Sequence, residues 1–172
     1  FNINHIRTCH YPPVYEYLQL ADEYGLYVID EVGNEAHATE YISGDEKWLP
    51  QYLDRMRQMV YRDRNHPSII IWSAGNESGE GNNICEIIAE GKSLDASRPA
   101  WMYGGNTEVW ITEHGWPTTP DIQETTQAMY LIRGYLIAMS DNDFGNYSIY
   151  QFQDGGNDPY EAEHQYGVIR KW

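Results

Sequence analysis

The stretch Ile69-Ile70-Ile71-Trp72-Ser73-Ala74-Gly75-Asn76-Glu77-Ser78 is an apolar run that stops abruptly at Asn-Glu. Four apolar residues in succession, three of them β-branched, predict a strand buried on both faces, the pattern of parallel sheets. In α/β folds of that kind, catalytic groups sit where the strands end. Val109-Trp110-Ile111-Thr112-Glu113-His114-Gly115 repeats the arrangement and carries a second strand-end glutamate, Glu113. Two such carboxyl groups suggest an acid and a base. The large class of chemistry that needs little else is cleavage of a glycosidic bond, in which one carboxylic acid protonates a poor leaving group while a carboxylate attacks the anomeric carbon.

Positioning two strand-end groups requires a parallel sheet, and the chain alternates accordingly. Residues 1–7 read as a strand and 12–24 as a helix with apolar Val14, Tyr17, Leu18 and Ala21, closed by Gly25. Residues 26–30 form the next buried strand. A loop rich in Gly, Asn, Glu and His (33–47) leads into a helix over about 47–64, where Leu49, Tyr52, Leu53, Met56, Met59 and Val60 keep the 3.6 period. Asn65-His66-Pro67 stops it before strand 68–74. Helix 82–94, strands 100–103 and 108–113, helix 123–140 and strand 147–152 follow, and 153–172 carries loop signals. Strand–helix alternation of this kind gives a parallel sheet, open or closed into a barrel.

One junction breaks the alternation. Only Gly104-Gly105-Asn106-Thr107-Glu108 separates Tyr103 from Val109, whereas parallel neighbours need a crossover of roughly a dozen residues. Gly-Gly-Asn suits a hairpin turn, but the preferred reading is a segment missing near 104–108 from a single barrel domain spanning 1–172. The 36 positions from Glu77 to Glu113 are likewise too few for three strand–helix units.

With 11 Lys+Arg against 26 Asp+Glu, the net charge of −15 argues against nucleic acid or an anionic membrane surface as partner. It favours a neutral or cationic ligand. The 15 Tyr and 6 Trp suit sugar-stacking surfaces and large cores alike. Two cysteines without a CxxC or Cys/His cluster disfavour structural zinc and a disulfide framework. No apolar run approaches the ~18 residues of a membrane span, and no signal peptide is visible. The chain opens on Phe1 inside a strand-like segment, as an excerpt of something longer would.

Residues 1–105 resemble the catalytic barrel of family 2 glycoside hydrolases, the β-galactosidase/β-glucuronidase group. The carrying stretches are Ile6-Arg7-Thr8-Cys9-His10-Tyr11-Pro12, Tyr24-Gly25-Leu26-Tyr27-Val28-Ile29-Asp30-Glu31, Arg62-Asp63-Arg64-Asn65-His66-Pro67-Ser68 and Trp72-Ser73-Ala74-Gly75-Asn76-Glu77-Ser78-Gly79. Residues 108–172 resemble the end of a barrel from the same clan of retaining glycosidases, through Thr112-Glu113-His114-Gly115-Trp116-Pro117 and Tyr150-Gln151-Phe152-Gln153-Asp154-Gly155-Gly156. The resemblance implies a (β/α)8 TIM barrel in which strands two to five, seven and eight are recognisable. Strands one and six and the β-sandwich domains that normally precede such a barrel have no counterpart.

By the same resemblance, Glu77 is the general acid/base and Glu113 the nucleophile of a retaining double displacement on a β-linked sugar, which requires Glu77 to hold its proton near neutral pH. Arg7 and Asn76 supply polar support, and Asn76 touches the sugar's 2-hydroxyl. His10, His37, Trp116 and Tyr150 are substrate-binding candidates, and His114, His164 and Asp154 share their rim loops. Glu35-Ala36-His37 resembles the Glu-x-His that joins the acid/base glutamate around magnesium, for which hard oxygen ligands are suited; no cofactor is otherwise required. Each has a plainer reading: a salt-bridged rim residue for Glu113, a turn histidine for His10, a solvated loop for Glu35 and His37, core aromatics for Trp116 and Tyr150. Two alternatives stand beside the exo-acting β-glycosidase: an endo-acting β-glycanase, and a non-catalytic barrel fragment or assembled scaffold. The missing strands favour the last, since an open sheet leaves unpaired edges, and such a chain would depend on self-association or further domains to complete the barrel.

Overall fold

The computed structural model describes residues 3–101, 109–111, 115–139, 144–147, 149–151, 153–154, 156, 158, 160–162 and 165–168. The chain divides into two compact units, Phe1–Gly104 and Gly105–Trp172, each taken by itself below.

In the first unit the expected alternation becomes four parallel strands, β1 (His5–Arg7), β2 (Tyr27–Glu31), β3 (Ile69–Ser73) and β4 (Ala100–Trp101), hydrogen-bonded in the order β1-β2-β3-β4. Each new strand is added on the same side of the last. That is the winding of a barrel, whereas a doubly wound sheet reverses its strand order at a switch point. The crossovers carry α1 (Tyr15–Tyr24), α2 (Leu49–Asp63) and α3 (Asn82–Leu94).

The helices form where the apolar period predicts them, with corrections at their starts. Helix α1 begins at Tyr15 rather than at residue 12, because residues that precede proline are pushed out of helical geometry and Pro12-Pro13 enforces this. Of its apolar residues, Leu18 and Ala21 are buried, while Val14 and Tyr17 face solvent. Tyr52, Met56, Met59 and Val60 of α2 pack with Val28, Ile69, Trp72, Ile84 and Ile87 in one core. A fully buried side chain of that size contributes about 1.5–3 kcal/mol. Two 3-10 turns, Glu40–Gly44 and Glu46–Trp48, lead into α2. They are fastened to the start of α3 by Asn83, whose side-chain amide donates to the carbonyls of Ile42 (3.0 Å) and Asp45 (2.9 Å).

In the second unit β5 (Val109–Ile111) pairs in parallel with β6 (Phe144–Tyr147), joined through α4 (Glu124–Met139). The strand expected at 147–152 is therefore placed earlier: the ladder to β5 starts at Val109 and Phe144, which leaves 149–151 in the following loop. Among the described residues β4 pairs with β3, and β5 with β6. No helix among them is long and apolar enough to cross a membrane, and Cys85 is an exposed thiol.

Two acidic groups of the first unit lie side by side in its interior. Asp30 of β2 and Asp63 at the end of α2 are both fully buried. Arg62 grips Asp63 through Nε–Oδ1 and Nη2–Oδ2 bonds of 2.6 Å each. Thr8 Oγ1 donates to Asp30 Oδ1 (3.3 Å), but Oδ2 of Asp30 meets no donor. A proton retained by Asp30 resolves this. Burial first, and then the neighbouring Asp63 carboxyl, push Asp30 up to about 8, with Arg62 and Thr8 opposing.

The folded protein thus binds a proton that the unfolded chain releases near pH 3.8. The associated stability is complete below that pH and is lost as pH rises through about 8. Urea denaturation should show the midpoint falling from pH 5 to pH 8 more steeply in the unaltered protein than in Asp30→Asn, whose amide can donate to Asp63 at every pH. Parallel pH profiles would remove Asp30 from this role.

Candidate active site

The site is built on the carboxyl ends of β1, β2 and β3. A register slip between Val28 and Ile29 sets Glu31, the last residue of β2, opposite Ser73, the last of β3. Arg7 ends β1. Beyond the strands, the pairing of β2 and β3 continues as a parallel bridge between Glu35 and Asn76, with Asn76 N–H donating to the Asn34 carbonyl at 2.9 Å. Gly75 makes that approach possible. Its φ is +131°, and a Cβ there would lie 2.5 Å from the Asn34 carbonyl oxygen, closer than any side chain permits. Ser78 closes the turn, its hydroxyl within 2.6 Å of the Asn34 carbonyl oxygen and 2.7 Å of that of Asn76.

Glu77 follows with φ of +39°, a left-handed conformation that costs a non-glycine residue roughly 1–3 kcal/mol. Held this way, Glu77 projects to the surface, its side chain 55% exposed, and its Oε2 pairs with Nδ1 of His37. Glu35 completes the cluster: one carboxylate oxygen from each glutamate and one His37 ring nitrogen all lie within 4.8 Å of one another. Glu35 Oε1 also accepts from the His37 backbone N–H (3.2 Å), and Glu35 Oε2 accepts from Asn76 Nδ2 (2.7 Å).

Behind this exposed edge runs a buried row. Arg7 donates from Nη2 to Asn76 Oδ1 (3.0 Å), and from Nε (2.7 Å) and Nη2 (2.6 Å) to Glu31 Oε2. His10 Nδ1 lies 2.8 Å from Glu31 Oε1, and Ser73 Oγ donates to Glu31 Oε2 at 2.7 Å. The first unit therefore brings Arg7, His10, Glu35, His37, Asn76 and Glu77 together. Glu31 joins them without having been singled out. Its signal was present, since Asp30-Glu31 ends a buried strand as Asn76-Glu77 does, and a buried carboxylate demands a cationic partner.

Glu113, His114 and His164 lie outside the described residues. In the second unit, Trp116 is half-buried against Tyr130 (ring centroids 5.3 Å apart), and Tyr150 is half-buried against Tyr166 (5.4 Å). The loops after β5 and β6 meet at Gly115, where a Cβ would collide with the Tyr150 carbonyl oxygen. Asp154 is buried and accepts from the Gly167 backbone N–H at 3.0 Å, a loop-closing contact.

Residues 1–142 match the family described as glycosyl hydrolases family 2, TIM barrel domain. Over 116 residues, 66% of this chain, the sequence is 46% identical to a β-galactosidase of Vibrio vulnificus and 45% identical to one of Photobacterium profundum. Those matches span 11% of the length of either relative. Among solved structures, β-glucuronidases of Ruminococcus gnavus (TM-score 0.81) and Dictyoglomus thermophilum (0.78) superimpose on 97% of this chain and 41% of theirs, each at 22% identity. At that identity the likeness speaks for the fold.

Proposed function

The chain belongs to family 2 of the glycosyl hydrolases, as their TIM barrel domain, and on that premise we propose that it cleaves a β-linked terminal sugar with retention of configuration. The observation that carries this reading is the Asn76-Glu77 strand end, with Glu77 exposed in a strained turn and Asn76 held from behind by Arg7. Glu77 protonates the glycosidic oxygen, Glu113 attacks the anomeric carbon, and Glu77 then takes the proton of the water that releases the sugar. Asn76 donates to the sugar's 2-hydroxyl, a contact that tightens as positive charge develops at the anomeric carbon. His10, Trp116 and Tyr150 complete the sugar-binding surface.

A β-galactoside is the preferred substrate class. The sequence relatives carry that name, and a net charge of −15 disfavours the anionic glucuronide. The endo-acting and non-catalytic readings gain no support from the comparisons. Strands β1–β4 then stand as barrel strands two to five, and β5 and β6 as seven and eight. Residues absent near 104–108, and further domains or a second copy, complete the barrel. Cross-strand NOEs between 100–101 and 109–111 would overturn that placement.

Two carboxylates and an imidazole form a donor set that fits a divalent cation, and their spacing in the structure suits a single ion. Glu35, His37 and Glu77 would hold magnesium, which supplies positive charge beside the acid/base carboxyl. Calorimetry should detect Mg²⁺ binding to the unaltered protein and its loss in Glu35→Gln; equal binding by both would remove Glu35 from the site.

The leaving group separates the two catalytic roles. Glu77→Gln should lose roughly 10²–10⁴-fold in kcat/KM on an alkyl β-galactoside. On 4-nitrophenyl β-galactoside, whose leaving group needs no proton, it should give a burst of nitrophenolate followed by slow turnover. Glu113→Gln should abolish both. Equal losses by Glu77→Gln on the two substrates, or full activity in Glu113→Gln, would contradict the assignment.

A further inference from the structure

We infer that Glu31 is the positioning residue of this site: a buried carboxylate that sets the tautomer of His10 and, through Arg7, the orientation of the Asn76 amide. The inference rests on the glycosidase reading above and adds to it a residue that touches no substrate.

The geometry is specific. Glu31 is fully buried and its own backbone N–H is fastened to Thr8 Oγ1 at 2.9 Å. Its carboxylate faces donors from three sides: Arg7 from the end of β1, His10 from the loop after β1, and Ser73 from the end of β3. A carboxylate only accepts hydrogen bonds. The nitrogen of His10 that faces it must therefore carry the hydrogen, so His10 is the Nδ1–H tautomer and its Nε2 is the basic nitrogen. Charge-assisted bonds of this kind are about twice as strong as neutral ones, and the accepting carboxylate is fully buried.

The second consequence runs along the row. Because Arg7 is fixed by two bonds to Glu31, its Nη2 presents a donor to Asn76 at 3.0 Å, which selects Oδ1 as the inward atom. Nδ2 then faces outward, giving one hydrogen to Glu35 and a second in the direction from which the sugar's 2-hydroxyl approaches. Glu31 thus decides that Asn76 offers a donor rather than a carbonyl to the substrate. Glutamine in its place would present one acceptor and one donor: with its oxygen on Arg7, its amide donates to His10 Nδ1 and imposes the opposite, Nε2–H tautomer.

Two measurements on the full chain test this. In ¹⁵N-histidine NMR with the ring neutral, His10 should be the Nδ1–H tautomer, and Glu31→Gln should reverse that preference. An Nε2–H tautomer in the unaltered protein, or a spectrum unchanged by the substitution, overturns the inference whether or not the protein turns over a glycoside. In kinetics, Glu31→Gln should lower kcat/KM on a β-galactoside by about 10- to 100-fold, but by only about threefold on the 2-deoxy analogue, which lacks the hydroxyl that Asn76 reads. Equal losses on both substrates would make Glu31 a structural group only. Where Glu31→Gln does not fold, Glu31→Asp keeps the charge, withdraws it from Arg7 and should show the same substrate contrast. A correct His10 tautomer in a protein that cleaves neither glycoside overturns the proposed activity and leaves the assignment of Glu31 as the group that orders Arg7 and His10.

Discussion

The strand ends of the first unit depend on one buried ion pair, Arg7 with Glu31. Neither charge can return to water: the Glu31 side chain is fully buried and that of Arg7 is 8% exposed. Removing one partner from such a pair costs several kcal/mol, because the other charge is left unpaired. The pair joins β1 to β2, and the hydroxyl of Ser73 brings in β3. Three strands that sheet hydrogen bonds align only laterally are thereby locked at the end where the chemistry is placed.

From that anchor, order is passed outward in short steps. Arg7 fixes Asn76, Asn76 meets Glu35, and Glu35 lies beside His37 and Glu77. Exposure rises along the row, from a buried Glu31 to a Glu77 more than half open to solvent. This is a workable arrangement for acid/base chemistry on a large substrate. Under the proposed reaction the acid/base carboxyl stays accessible, and the precision comes from the buried Arg7–Glu31 pair behind it. The left-handed backbone at Glu77 fits the same logic. Its cost is borne because Gly75, Ser78 and the Asn34 carbonyl hold the turn on either side.

Much of this was legible in the residues. Buried runs such as Ile69–Trp72 marked the strands, the 3.6 period of Tyr52, Met56, Met59 and Val60 marked α2, and Asn-Glu at a strand end marked the site. What escaped has physical causes. Val14 and Tyr17 share the apolar character of Leu18, and only packing decides which of them the core takes. Strand β6 was displaced toward 147–152 because β-branched and aromatic residues there suit a strand, whereas the partner in β5 pairs with 144–147. The role of Glu31 is not marked by its local sequence, because its value depends on donors 21, 24 and 42 positions away, a relation that local pattern does not carry. Glu113, by contrast, rests on the sequence: on its place just past the strand Val109–Ile111 and on the resemblance.

That last residue is where the account is most directly tested. A 2-deoxy-2-fluoro β-galactoside with a good leaving group forms the glycosyl–enzyme but hydrolyses it slowly, because the fluorine disfavours the positive charge of the second step. Peptide mass mapping after incubation should find the fluorosugar ester on Glu113. An ester on another carboxylate, or no adduct under conditions where the unfluorinated galactoside is turned over, would contradict double displacement through Glu77 and Glu113.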